Sequence, residues 1–188
     1  MNNRPQFSPA DAEHIVQTQY GIIAEARPLP SYDDQNFAMV GENGRFVLKI
    51  SSLSDDRAIL SLQNGGMAHL HPTLGDVCMK PILTNDGQPI TTATQNGQPY
   101  LVRLLTWVDG KPYADINART PDFYQNLGRF AGQMDHALAD YAHPAAKRDL
   151  FWDLAQAHHA RAYLPTIADA RVRMAGVSKP RLRRYVEH

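Results

Sequence analysis

Apolar positions recur along this chain in two rhythms. Between residues 22 and 108, short runs in which apolar and polar residues alternate are closed by Gly, Asn or Pro, with one helical stretch among them. After Lys111 the apolar residues return every three to four positions. Period two marks strands with a buried face, and the longer period marks helices with a buried stripe.

The first helix precedes both regions. Ser8-Pro9-Ala10-Asp11 supplies a capping serine, a proline at the first helical position and an acid in the first turn, so a helix is predicted to about Tyr20, stopping at Gly21. Ile22 to Leu29 reads as a strand closed by Pro28 and Pro30, and the polar stretch "SYDDQNF" leads into a second strand near Asn36 to Val40. Glu42-Asn43-Gly44 is a hairpin signal, because Asn and Gly tolerate the positive φ of such turns. A third strand, "GRFVLKIS", follows. Its alternation sends Phe46, Leu48 and Ile50 to one side and Arg45, Val47, Lys49 and Ser51 to the other.

A helix is predicted from about Ser54, with Asp55 and Asp56 near the positive end of its dipole and Gly65-Gly66 as a weak point. Residues 77 to 108 form a hairpin series turning at Asn85-Asp86-Gly87 and Asn96-Gly97, and Tyr100 to Val108 is its most apolar strand. Thr120-Pro121 then caps an amphipathic helix bearing Phe123, Leu127, Phe130, Met134 and Leu138, and a second helix is expected from Asp149 to Leu164. The order predicts an α+β fold with a β-rich lobe over 1–108 holding one inserted helix, a hinge over 109–112, and an incomplete helical lobe over 113–188.

Composition narrows the partners. Nineteen basic and nineteen acidic residues balance, so no overall field draws the chain to nucleic acid or to a membrane surface. The arginine-rich end, Arg171 to Arg184, lacks interleaved aromatics and reads as a solvated helix face. A lone cysteine, Cys78, and the absence of an apolar leader predict a reducing, cytoplasmic setting. No metal site is expected at the close histidine pairs, His69-x-His71 and His158-His159, the latter two pointing about 100° apart on a helix.

Lys49 is the residue that chemistry must explain. An edge or snorkelling lysine is one reading, and a phosphate-binding lysine on the roof of a nucleotide site is the other.

The segments "LPSYDDQNF", "FVLKIS", "LQN", "YLVRLLTWVDGKP" and "FYQNLGRFAGQMDHAL", in this order, resemble the protein-kinase-like fold of the aminoglycoside phosphotransferase and choline kinase family. Within it they look most like the hydroxylysine kinase branch, some of whose bacterial relatives are fused to class III aminotransferases.

The resemblance implies ATP as the nucleotide and Lys49 as the ligand of its α- and β-phosphates. It places Ser31, Asp34, Gln35 and Asn36 on the loop that closes over the phosphates. Gln63 takes the helix position where kinases usually carry a glutamate paired with the lysine. Leu105 falls at the back of the adenine pocket, and Trp107 and Val108 offer backbone C=O and N–H to the purine edge.

The resemblance also implies Mg2+ held by a later catalytic segment and, as acceptor, a small hydroxylated amine or amino acid. The pattern His-x-Asp-x-x-x-x-Asn is absent from these residues. The expectation is therefore a nucleotide-binding portion without turnover of its own, either a fragment or a truncated lobe. It should self-associate or recruit a partner through the helical face of Phe130, Met134, Phe151, Trp152 and Leu154. The alternative is a non-catalytic nucleotide-binding or docking module, such as part of a larger aminotransferase fusion.

Overall fold

A computed structural model describes residues 4–117, 119–148 and 163–169. Two compact units divide the chain, Met1–Ala146 and Lys147–His188. The elements below belong to the first. The helix expected over 149–164 falls almost wholly outside the described residues, as do Phe151, Trp152, Leu154 and the basic terminal segment.

Helix α1 spans Pro9–Tyr20. Ser8 Oγ accepts from the Asp11 N–H at 3.2 Å, while the Asp11 carboxylate accepts from the Ser8 N–H at 2.8 Å. This reciprocal cap satisfies two N–H groups that a helix start leaves open, and the bonds from Ser8 hold the Asp11 carboxyl below its ordinary range. The helix ends at Gly21, as expected.

Six strands follow: β1 (Ala24–Leu29), β2 (Gln35–Gly41), β3 (Gly44–Ile50), β4 (Pro81–Ile82), β5 (Thr91–Gln95) and β6 (Gln98–Thr106). They form one antiparallel sheet in the order β1-β2-β3-β6-β4, with β5 hairpinned onto β6. β1 begins two residues later than the alternation suggests and carries Pro28, which suits an edge strand because proline cannot donate to a ladder.

The core lies between α1 and one face of the sheet. Phe37 and Met39 of β2, Leu48 and Ile50 of β3, and Val102 and Leu104 of β6 are fully buried there against Ile15, Val16 and Tyr20. The alternation of "GRFVLKIS" is obeyed: Phe46, Leu48 and Ile50 pack on this core, while Val47 and Lys49 line the opposite side. Burying several large side chains at about 1.5–3 kcal/mol each holds the sheet to α1. That leaves the other face available for a site.

Helix α2 (Arg57–Leu74) covers part of this second face. It starts after Asp56, whose carboxylate accepts from the Ala58 N–H at 2.9 Å, and it continues through Gly65-Gly66 and Pro72. Helix α3 (Pro121–Leu138) begins at Thr120, whose hydroxyl accepts from the Phe123 N–H at 3.2 Å. None of its residues is buried, although its apolar positions keep the expected helical spacing. Among the described residues no helix is long and apolar enough to cross a membrane.

Candidate functional site

Strand parity creates the site. Asn36 and Lys49 are register partners on β2 and β3, so their side chains stand on the same face, away from the α1 core. The Lys49 ammonium pairs with Asp34 Oδ2 at 3.0 Å and donates to Asn36 Oδ1 at 3.1 Å. Ser31 Oγ donates to the Asp34 carbonyl at 2.5 Å, closing the loop between β1 and β2 into a compact turn. Arg4 donates to the Ser31 carbonyl at 3.1 Å and ties that turn to the start of the chain.

Gln35 is turned the other way. Its amide accepts from the Phe7 N–H and donates to the Phe7 carbonyl, each at 2.7 Å. One step along a strand reverses the side chain, so Gln35 anchors the segment before α1 while Asn36 faces Lys49.

Two adjoining hollows meet at Lys49. The larger, about 700 Å3, is walled by Val47 and Leu105 from the sheet, Leu62, Gly66 and Met67 from α2, and Trp107 and Val108 beyond β6. Its lining is mostly apolar and suits a flat heterocycle. The smaller, about 360 Å3, holds Ser31, Asp34, Asp55, Gln63 and Arg103. Asn36, Lys49, Gln63 and Arg103 border both. An apolar slot opening onto a recess with two cations, Lys49 and Arg103, and three carboxylates, Asp33, Asp34 and Asp55, can take a ligand with an aromatic end and a polar, charged end.

The far side of the slot is closed by the segment after α3. Tyr141 Oη donates to the Leu62 carbonyl at 2.8 Å, and its ring packs on His69 at 5.3 Å between centroids. His69 Nε2 lies 2.9 Å from Asp140 Oδ1, which holds the Asp140 carboxyl below its ordinary range. Gly65 permits this approach, since a Cβ there would stand 2.3 Å from Tyr141 Oη. At the near side the Trp107 N–H donates to the Arg45 carbonyl at 3.2 Å. The Arg45 guanidinium lies over the Trp107 ring at 5.2 Å and pairs with Asp109.

Gln63 reaches a different cation from the one expected. Its Oε1 accepts from Arg103 Nη2 at 2.7 Å, and Lys49 takes its partners from the β1–β2 loop and β2 instead. The physical reason is Arg103, whose forked guanidinium sits between the sheet and α2 and satisfies the amide first.

Arg103 and Asp55 are site residues that the sequence reading passed over. The signal for Arg103 was an arginine within the apolar run "YLVRLL", where a buried charge demands partners. Burial pulls its pKa down, against the charges of Asp34 and Asp55. Burial likewise pushes the Asp55 carboxyl above its ordinary value, with the Asp34 carboxylate adding to the rise and a Ser51 hydrogen bond opposing it. Among the described residues no group of three or more His, Cys, Asp or Glu side chains could hold a metal ion.

Comparison with known proteins places this geometry. A family model described as "Phosphotransferase enzyme family" matches residues 25–182. Hydroxylysine kinase of Danio rerio is 35% identical over 150 residues, covering 76% of this chain and 42% of that protein. Hydroxylysine kinase of Xenopus laevis is 31% identical over 186 residues, covering 89% of this chain and 49% of that protein. The chain thus spans about half the length of the curated relatives it matches. An amicoumacin kinase solved with AMP-PNP, Ca2+ and Ami superposes with a TM-score of 0.64 at 18% identity, over 88% of this chain and 49% of that one. That likeness establishes an α+β, kinase-like fold.

Proposed function

This chain belongs to the phosphotransferase enzyme family, and from that premise we propose that it is the nucleotide-binding portion of an ATP-dependent kinase for a small molecule. The observation that carries the reading is Lys49, whose ammonium stands where the apolar slot meets the polar recess. In this reading the adenine ring enters between Val47, Met67 and Leu105. Its edge bonds to the Trp107 C=O and the Val108 N–H, the Trp107 N–H being engaged by Arg45.

The α- and β-phosphates then reach Lys49 and Asn36, with Ser31 and Asp34 on the loop above them and Gln63 on the α2 wall. A fixed ammonium beside a polyphosphate offsets charge that water would otherwise have to solvate. Gln35 supports this loop from behind through Phe7.

Mg2+ is the metal proposed, and its chemistry would be to neutralise charge on the transferring phosphoryl group. In this reading the described residues would supply the nucleotide side of that arrangement. The proposed metal ligands and catalytic aspartate lie in the half of the relatives that this chain does not span. Residues 1–108 are then the nucleotide lobe, 109–112 the hinge, and 113–188 the first part of a helical lobe.

The acceptor proposed is a hydroxyl of a small amine or amino acid, hydroxylysine-like as in the named relatives, and the setting is cytoplasmic. The unburied apolar face of α3 is the surface proposed for self-association.

Thermal unfolding with and without ATP and Mg2+ tests the central claim. Ligand at about ten times Kd should stabilise the fold by about 1.4 kcal/mol. For a chain of this size that is a rise of about 3–6 °C in Tm. Lys49→Ala should remove most of the rise. Equal shifts in both proteins would return Lys49 to an ordinary strand position. Phosphoryl transfer by residues 1–188 alone would overturn the assignment of catalysis to the absent half.

A further inference from the structure

Arg103 is only 2% exposed, so the fold holds a full positive charge in its interior where close packing has no use for one. It faces Lys49 directly across the β3–β6 ladder. The two cations part there. Lys49 reaches the loop side, while Arg103 reaches α2, donating to Gln63 Oε1 at 2.7 Å, Asn64 Oδ1 at 2.9 Å and the Leu60 carbonyl at 3.5 Å. Asn64 is itself buried and donates to the Pro89 carbonyl at 3.4 Å.

Helix α2 contains no acidic residue, so Lys49 has no carboxylate there to pair with. Two amide oxygens and a carbonyl match a planar fork of N–H donors far better than a single ammonium.

We propose that Arg103 is the positioning residue of the nucleotide site: it fixes α2 against the sheet, which sets the wall of the slot at Gly66 and Met67 and leaves Lys49 to the phosphates. This rests on the nucleotide reading given above and deepens it. Arg103 acts through α2, because its Nη1 and Nη2 donors are engaged by Gln63, Asn64 and the Leu60 carbonyl of that helix.

The test is calorimetric titration of the full chain with ADP and, separately, with adenosine. Arg103→Met keeps an unbranched apolar stem and removes the donors. Both ligands should weaken by about tenfold, because the wall contacts the base as well as the phosphates. Adding Gln63→Glu to Arg103→Met should recover most of the loss, since a carboxylate on α2 can then bind Lys49 directly. A merely space-filling arginine would not be rescued by placing a negative charge beside its vacated position.

Weakening of ADP alone would show that Arg103 acts by its charge and would overturn the proposal, as would unchanged binding or failure of the rescue. If Arg103→Met does not fold, Asn64→Ala serves. That side chain holds Arg103 without lining either hollow, and the same joint weakening is expected; no change overturns the proposal. Wild-type protein that binds neither ADP nor adenosine defeats the nucleotide reading and this inference with it. Wild-type binding with indifferent variants defeats this inference alone.

Discussion

The Asp34 carboxylate lies 3.0 Å from the Lys49 ammonium, and the two side chains remain 26% and 24% exposed. The proposed phosphate ligand is therefore already occupied by an anion of the chain itself. A pair this accessible to water contributes about 0–1 kcal/mol, so a polyphosphate carrying several charges can displace it.

Asp34→Asn should consequently tighten ADP binding by a few-fold to about tenfold, and lower stability by no more than about 1 kcal/mol. Titration calorimetry reads the first and denaturant unfolding the second. Weaker binding in the variant would mean that Asp34 holds the nucleotide instead of competing with it.

Asp55 gives a pH dependence with a definite sign. Its carboxyl is raised above 3.8 in the folded protein, chiefly by burial, so the folded state holds that proton more tightly than the unfolded chain does. Its contribution to stability is greatest below 3.8 and is lost as pH rises through the raised folded value. Asp55→Asn should raise Tm at neutral pH, and the gain over wild type should vanish in acid. A variant less stable than wild type at neutral pH would show that the ionised carboxylate is a net stabiliser.

Gly65→Ala sets two effects against each other. Alanine favours a helix interior by about 1 kcal/mol over glycine. The new Cβ would, however, meet Tyr141 Oη at 2.3 Å and break its bond to the Leu62 carbonyl. Displacement should win, with a net loss of about 1–2 kcal/mol. In a Tyr141→Phe background the closest atom is gone, and the same substitution should be close to neutral. A double-mutant cycle in urea measures the difference, and strict additivity would refute the contact.

Helix α3 leads to a prediction about assembly. Tyr124 and Leu127 are about half exposed, and no residue of the helix is buried. Concentration-dependent self-association should appear in sedimentation velocity, and Leu127→Lys should weaken it at least several-fold, since apolar patches of this kind drive association. A monomer at all concentrations would remove α3 as an interface.

Local chemistry was the most legible part of the sequence. The Ser8–Asp11 box, the stop at Gly21 and the alternation of β3 are encoded in neighbouring residues, and the structure places them where those signals do. The family, too, was readable from five short segments. What neighbouring residues do not encode is which parity of a strand faces the cleft, and that separates Gln35 from Asn36.

Nor could local pattern reveal that Gln63 would be taken by Arg103, because the two meet across 40 positions of sequence. Helix α2 begins at Arg57, after Asp56, about three residues later than the start expected near Ser54. Ser54 instead shares a 2.9 Å hydrogen bond with the Ser52 hydroxyl, which holds the turn before the helix.

Strand β6 is bonded along both edges, to β3 on one side and to β4 on the other, with β5 paired to its first half. β1, by contrast, pairs with β2 alone among the described strands. Thermal opening of the sheet should therefore proceed inward from β1, loosening the loop over Lys49 before it disturbs β6. Backbone amides of β1 would exchange with solvent before those of β6. The closing loop and the wall behind the base would then live on different clocks, one free to breathe at each ligand exchange while the other persists until the whole lobe unfolds.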